Sequence, residues 1–449
     1  MKKEYEELFK RLIMGYYDGT FDAIVEEAVS APDFDRAETR KAIALLCGVS
    51  IPEEGNYLYN LKKAITNYQV RQNIVEKIGQ CNMNCVEDPS GRTKCQMVCP
   101  FNAILNDPIK NTTYIDMDLC AGCGLCVEAC DNGHLMDRKE FIPLLNLLQE
   151  KTPVIAAVAP AIAGQFGSAT LDQLRAALVK VGFKDMVEVA FAADMLTIKE
   201  AVEFDHLVHK KEDLMITSCC CPMWVGMLKK VYADLVKYVS PSVSPMIAAA
   251  RVLKKLNPEV KVVFIGPCIA KKAEAKEKDL IGDVDFVMTF QELKGVFEVL
   301  SITPEEMEPL VSMEYASRGG RLYARSGGVS IAIGEAIEEL YPEKYALLSV
   351  RHVDGVKGCK EILTKAINGE ELGGNFIEGM GCVGGCVGGP KANIPKEDGR
   401  IAVDEVAYNS AVKIATHSTI LDEIFARLGI SSLKDFNDPK KIDIFERNF

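Results

Sequence analysis

Apolar residues recur at helical spacing through residues 1–75, as at Leu8, Leu12, Ile13, Tyr16 and Tyr17, and predict a small N-terminal helical segment. The period is lost over residues 76–145, which are short-looped and read as a separate α+β unit. From 146 to 449 strand-length apolar runs alternate with amphipathic stretches. Pro153–Ala159, Met186–Phe191, Leu214–Thr217, Lys261–Gly266 and Phe286–Phe290 predict strands; Leu171–Val181, Leu196–His209, Met223–Val236 and Gln291–Leu300 predict helices between them. Strands alternating with helices predict an α/β domain of parallel or mixed sheets flanked by helices.

Composition narrows the class. No apolar stretch among the 449 residues approaches the ~18 residues of a membrane span, and residues 1–17 carry charge without a cleavable apolar core. A net charge of −12 argues against nucleic-acid binding. A cytoplasmic protein with no membrane association is expected. The 16 cysteines change the picture, because they fall in tight clusters rather than being scattered as in a secreted disulfide protein. Clustered thiols in a reducing compartment point to metal. Only Cys47 and Cys359 stand apart, as buried or half-buried thiols without a role.

Two quartets lie in 76–145: Cys81, Cys85, Cys95, Cys99 and Cys120, Cys123, Cys126, Cys130. The second has the spacing C-x₂-C-x₂-C-x₃-C; the first ends in C-x₃-C-P at Cys99 and Pro100. Zinc sites favour thiol pairs separated by a longer stretch, so iron–sulfur chemistry is the stronger reading. The region resembles a bacterial two-cluster ferredoxin, in which the last cysteine of each motif serves the other cluster. The resemblance implies two 4Fe–4S clusters, one on Cys120, Cys123, Cys126 and Cys99, the other on Cys81, Cys85, Cys95 and Cys130. The long Cys85–Cys95 gap and Asp131 in place of the usual proline depart from the pattern.

Three later segments carry further thiols: Thr217-Ser218-Cys219-Cys220-Cys221-Pro222-Met223-Trp224, the stretch 266–274 around Pro267 and Cys268, and the glycine-rich stretch 378–390 with Cys382 and Cys386. In order and spacing they resemble the three signatures of the FeFe (iron-only) hydrogenases, over roughly residues 76–420. The resemblance implies a catalytic H-cluster: a 4Fe–4S cube on Cys221, Cys268, Cys382 and Cys386, with Cys386 bridging to a two-iron subsite that carries CO, cyanide and an azadithiolate. Lys271 would sit against a cyanide, and Ala159, Pro160, Pro267 and Met380 would line the pocket. Cys220, Glu200, Ser240 and Glu203 match the family's thiol–carboxylate–hydroxyl–carboxylate proton relay, with the two glutamates three apart on one helical face.

The implied activity is reversible H₂ oxidation and proton reduction. Its implied partners are a ferredoxin-type electron carrier and the hydrogenase maturation proteins. Departures from the family pattern (Cys219 ahead of the usual pair, Gly266 for methionine, Met246 for glutamine, Ala161 for serine) mark a divergent subgroup. Two alternatives stand beside it. One is a low-activity H₂ sensor, although no cysteine follows Cys386. The other is a non-catalytic iron–sulfur assembly relative, a group expected to lack the relay and the pocket lysine.

Overall fold

Four helices account for the N-terminal period: Lys3–Asp18, Phe21–Ser30, Arg36–Leu46 and Tyr57–Thr66. Leu8, Leu12 and Ile13 are buried as the spacing predicts, whereas Tyr17 is exposed and Tyr16 is half-buried, its hydroxyl donating to Asn146 Oδ1 at 2.6 Å. The structure, a computed structural model, describes residues 3–31, 35–52, 54–70, 73–81, 83–86, 89–107, 109–150, 152–311 and 315–449.

Between the helical segment and residue 140 the described residues form β1 (Val75–Lys77), β2 (Ile104–Asp107), β3 (Thr112–Ile115) and β4 (Leu135–Asp137). β1 pairs antiparallel with β4, and β2 with β3. The cysteine loops hang between these two-stranded pieces. This is a ferredoxin-like arrangement in which little backbone is regular.

The larger part is α/β. Its strands are β5 (Val154–Val158), β6 (Asp185–Glu188), β7 (Met215–Ile216), β8 (Lys261–Gly266), β9 (Phe286–Thr289), β10 (Val350–Asp354) and β11 (Phe376–Met380). Four form a parallel sheet in the order β6-β5-β8-β9, and three a second parallel sheet in the order β10-β11-β7. β5, β8 and β9 are almost wholly buried, as expected of parallel strands covered by helices on both faces. The helices Pro245–Leu256 and Phe290–Val299 pack on the first sheet, and Gly355–Asn368 on the second.

Two expected elements are corrected. The run Met186–Phe191 is a strand only to Glu188; from Val189 to Leu207 the chain is one helix, so the helix expected at Leu196 begins seven residues earlier. Fourteen of its nineteen residues are buried, on all sides, which erases the amphipathic period that would have marked its start. The helix expected over Met223–Val236 ends at Lys230; the chain turns at Tyr232 (φ −124°, ψ 47°) and resumes as a 3₁₀ helix, Ala233–Tyr238.

Candidate active site

The site is assembled where strands of both parallel sheets end. Ala159 and Pro160 follow β5, Thr217–Cys221 follows β7, Pro267 and Cys268 follow β8, and Met380 closes β11 just ahead of Cys382 and Cys386. The carboxyl ends of parallel strands are where open α/β sheets collect their functional loops. Ala159, Pro267 and Met380 are buried there, and Pro160 is half-buried.

Local chemistry fixes each loop. Ser218 adopts a left-handed conformation (φ 72°), which turns the chain sharply between β7 and the thiols. Trp224, fully buried, donates from Nε1 to the Thr217 carbonyl at 2.9 Å and ties the following helix, Pro222–Lys230, back to that turn. Gly385 has φ 87°, and a Cβ there would meet the Arg325–Ser326 backbone at 2.6–2.8 Å, so only glycine lets the Cys386 loop pass.

The twelve cysteines singled out above gather in three groups. Burial pushes the Cys95 thiol up, and Cys85, Cys130 and Cys81 raise it further. Cys126 is raised by burial and then by Cys123, Cys120 and Cys99. Cys382 is raised by burial and then by Cys268, Cys221 and Cys386. Cys130 thus lies near Cys95, and Cys99 near Cys126. Neighbouring groups are near one another: Cys95 acts on Cys126, and Cys123 acts on Cys382.

The donor set suits iron–sulfur clusters. Burial above all holds Cys123 and Cys386 up at about 12 and Cys268 at about 11, so these thiols ionise near neutral pH only against bound cations. Backbone N–H groups already point at sulfur, from Gly381 to Cys221 Sγ at 3.2 Å and from Met83, Ala103 and Gly122 to Cys81, Cys99 and Cys120 at 3.3 Å.

Cys220 is raised far up by burial, then by Cys386 and Cys221, while Lys271 opposes them. It is therefore a protonated thiol facing the third group. Lys271 is buried; burial lowers it, but Glu274 at 2.7 Å holds it charged, with Cys220 and Cys268 adding to the effect. Glu274 was not among the residues singled out for the site, and its partner role follows only from the helical turn Ala270–Glu274.

The acid–hydroxyl chain is longer than the sequence indicates. Ser240 Oγ donates to Glu203 Oε2 at 2.6 Å and lies 2.8 Å from Ser242 Oγ, and Ser242 is close enough to Glu200 to act on its carboxyl. Thr217 Oγ1 donates to Glu200 Oε2. Burial first, and Glu203 second, lift the Glu200 carboxyl to about 7. Lys199 pairs with Glu203 and reaches Glu446 at 3.3 Å, which is 29% exposed. No hydrogen bond among the described residues joins Cys220 directly to Glu200. Tyr323, whose hydroxyl lies 3.0 Å from Thr197 Oγ1, is within electrostatic reach of both. Cys219 faces this chain rather than the cluster thiols: its sulfur donates to the Ser240 carbonyl at 3.0 Å, and after burial Glu200 and Glu203 act on it most. Ser242, Tyr323 and Glu446 were not singled out in the sequence, where nothing local distinguishes them.

Known proteins share this architecture. The family model for the iron-only hydrogenase large subunit, C-terminal domain, matches residues 152–390, and that for a 4Fe-4S binding domain matches 113–133. The NADP-reducing hydrogenase subunit HndD of Solidesulfovibrio fructosivorans is 28% identical over 330 residues, 60% of this chain and 55% of that protein. Iron hydrogenase 1 of Clostridium pasteurianum is 27% identical over 303 residues, covering 56% and 52%. The chain thus spans about half the length of these two relatives. A probable cytosolic Fe-S cluster assembly factor of Drosophila ananassae is also similar, at 23% over 294 residues, 55% of this chain and 59% of that protein. The fold is shared with a solved variant of the [FeFe]-hydrogenase HydA1 from Chlamydomonas reinhardtii, at a TM-score of 0.57 and 23% identity over 68% of this chain and 97% of that one. With more than half of its length matched, and with its thiols gathered at the ends of two parallel sheets, the chain belongs to the family of the iron-only hydrogenase large subunit, C-terminal domain.

Proposed function

We propose that the protein is an FeFe-hydrogenase interconverting protons, electrons and H₂. One observation carries this reading: a buried chain of proton-bearing groups runs from the partly exposed Glu446 through Lys199, Glu203, Ser240, Ser242 and Glu200 toward the Cys220 thiol, which faces Cys386. Cluster binding alone needs no such chain.

Cys81, Cys85, Cys95 and Cys130 would hold one 4Fe–4S cluster, and Cys99, Cys120, Cys123 and Cys126 a second. Cys221, Cys268, Cys382 and Cys386 would hold the cube of the H-cluster, with Cys386 shared with a two-iron subsite. When bound, that subsite supplies the site at which H₂ is formed or split. Cys220 would present a proton to it, with Glu200 as the acid that resupplies the thiol. A carboxyl poised near 7 loads and releases protons with little driving force in either direction. Lys271, kept charged by Glu274, supplies fixed positive charge and a hydrogen-bond donor beside the cluster. The nearness of neighbouring thiol groups suits electron delivery by a ferredoxin-type carrier, with maturation proteins installing the subsite. We place the protein in the cytoplasm.

The assembly-factor relatives support a second reading, cluster carriage without H₂ chemistry. Infrared spectroscopy and H₂ evolution from reduced methyl viologen separate the two. Protein loaded with the two-iron subsite is expected to show CO and cyanide bands and to evolve H₂. A full iron complement with no such bands and no H₂ after loading overturns the hydrogenase reading.

A further inference from the structure

A cavity of about 500 Å³ lies between the N-terminal helices and the β1–β4 pair, away from the cysteine groups described above. Among the described residues its walls bring together three cations, Arg40, Lys41 and Arg138, against a single carboxylate, Glu76. Leu45, Val49, Ile51 and Ile78 give it an apolar side. A volume of this size falls within the ~300–1,000 Å³ of small-molecule sites.

The arginines are held in place but not satisfied. Arg138 is 1% exposed; its Nε donates to the Asn73 carbonyl at 3.1 Å, and one terminal nitrogen donates to Ser50 Oγ at 3.1 Å and to Glu76. Its other terminal nitrogen, Nη1, is buried with no partner among the described residues. Arg40 has its guanidinium 5.1 Å from the Tyr57 ring centroid, so one face is covered, and its Nε is likewise buried and unpartnered. A buried donor left unpaired destabilises the fold, and an anion that accepts from it relieves that cost. Guanidinium edges match the oxygens of a carboxylate or phosphate, and Lys41 at the exposed rim adds charge.

We propose that this cavity is a binding site for an organic anion, with a phosphate or carboxylate head between Arg40, Lys41 and Arg138 and an apolar body against Leu45, Val49 and Ile51. The site is independent of the proposed H₂ chemistry. It gives the helical segment, to which no motif assigns a role, a ligand-binding function shared with the strands of the ferredoxin-like region.

The test is isothermal titration calorimetry on the full chain carrying its iron–sulfur clusters, with phenyl phosphate, benzoate and inorganic phosphate as probes. Saturable binding is expected for at least one of the two organic anions, and the tighter of them identifies the head group. Inorganic phosphate is expected to bind about tenfold more weakly, since it leaves the apolar wall unfilled. Arg40→Met, which keeps the packing on Tyr57, is expected to weaken binding about tenfold through loss of a charge-assisted hydrogen bond. Lys41→Met, on the exposed rim, leaves the core untouched and should weaken binding in the same direction. No saturable binding by either organic anion, unchanged affinity in both variants, or inorganic phosphate binding as tightly as the organic anions would each overturn the proposal.

Discussion

Glu200 shows how one residue's environment sets its chemistry. Burial and the neighbouring Glu203 raise its carboxyl from an ordinary value of 4.5 to about 7. Between those two values the folded chain binds more proton than the unfolded one, so this group makes stability fall as pH rises from about 4.5 to about 7. Glu200→Gln is expected to flatten that part of the slope, read as a smaller drop in thermal midpoint across the window than in the wild type. The same substitution should slow H₂ turnover while leaving iron content unchanged. Cys220→Ala is expected to lower turnover by ~10²–10⁴, with the CO and cyanide bands and the iron content intact, because the thiol would donate protons without ligating iron. Near-normal turnover in that variant would place the proton path elsewhere. The two glutamates were singled out through the family resemblance, since their spacing on one helix alone equally suits a solvated face. Ser242, Tyr323 and Glu446 were not, because they come from separate stretches of chain that only folding brings beside Glu200 and Glu203.

Among the elements, those with local punctuation matched the sequence best. The helix Leu171–Val181 has the expected bounds because Thr170 and Gln173 form a capping box at its start and Gly182 ends it at φ 124°. β10 and β11 were missed for opposite reasons. β10 is largely exposed and reads as polar sequence, whereas β11 is wholly buried yet contains Glu378 and Gly379. Glu378 is there for a tertiary reason: it accepts from Gly327 N at 2.7 Å and Ser330 N at 2.8 Å, at the start of the helix Gly328–Leu340. Gly379 is there for space, since a Cβ would come within 2.3 Å of the Trp224 ring. Gly379→Ala is therefore expected to cost about 1–3 kcal/mol by overpacking, measured by chemical denaturation. Because Trp224 anchors Thr217, the variant should also lower H₂ turnover; unchanged stability would mean that the strand and the ring separate freely.

At the scale of the whole molecule, a buried charge network joins the ferredoxin-like region to the α/β part. Asp137, Lys139 and Glu140 meet Lys272, Lys276, Glu292 and Lys391, all of them buried. Lys391 also pairs with Glu128 at 2.5 Å, on the helix between Cys126 and Cys130. Burial would raise Asp137, but Lys139, Lys391 and Lys272 outweigh it and hold the carboxyl well below its ordinary 3.8. Its stabilising effect is thus complete above that value and is lost as acid protonates it. Asp137→Asn leaves three buried ammonium groups short of a counter-charge and is expected to cost about 3–5 kcal/mol, seen as a lower thermal midpoint at neutral pH. A midpoint equal to wild type would remove this network as the clamp between the regions. The three thiol groups likewise predict about twelve irons per chain after reconstitution without maturation factors; about eight would remove one quartet.

Chemistry written in contiguous residues was readable from the sequence alone: the cysteine spacings, the order of the three signatures, and the alternation that makes the larger part α/β. Short-range spacing restricts which thiols can share a cluster, because a few residues of loop span only a limited distance. Tertiary structure alone decided which side of the Cys219–Cys221 triplet faces the cluster thiols, that Ser242 lies beside Ser240 and within reach of Glu200, that Lys271 is charge-balanced by Glu274, and that Arg40 and Arg138 share a cavity. Each of these depends on the direction of a side chain or on a contact between distant segments. Hydrophobic periodicity carries neither, since it records which face of an element is buried and not what that face meets.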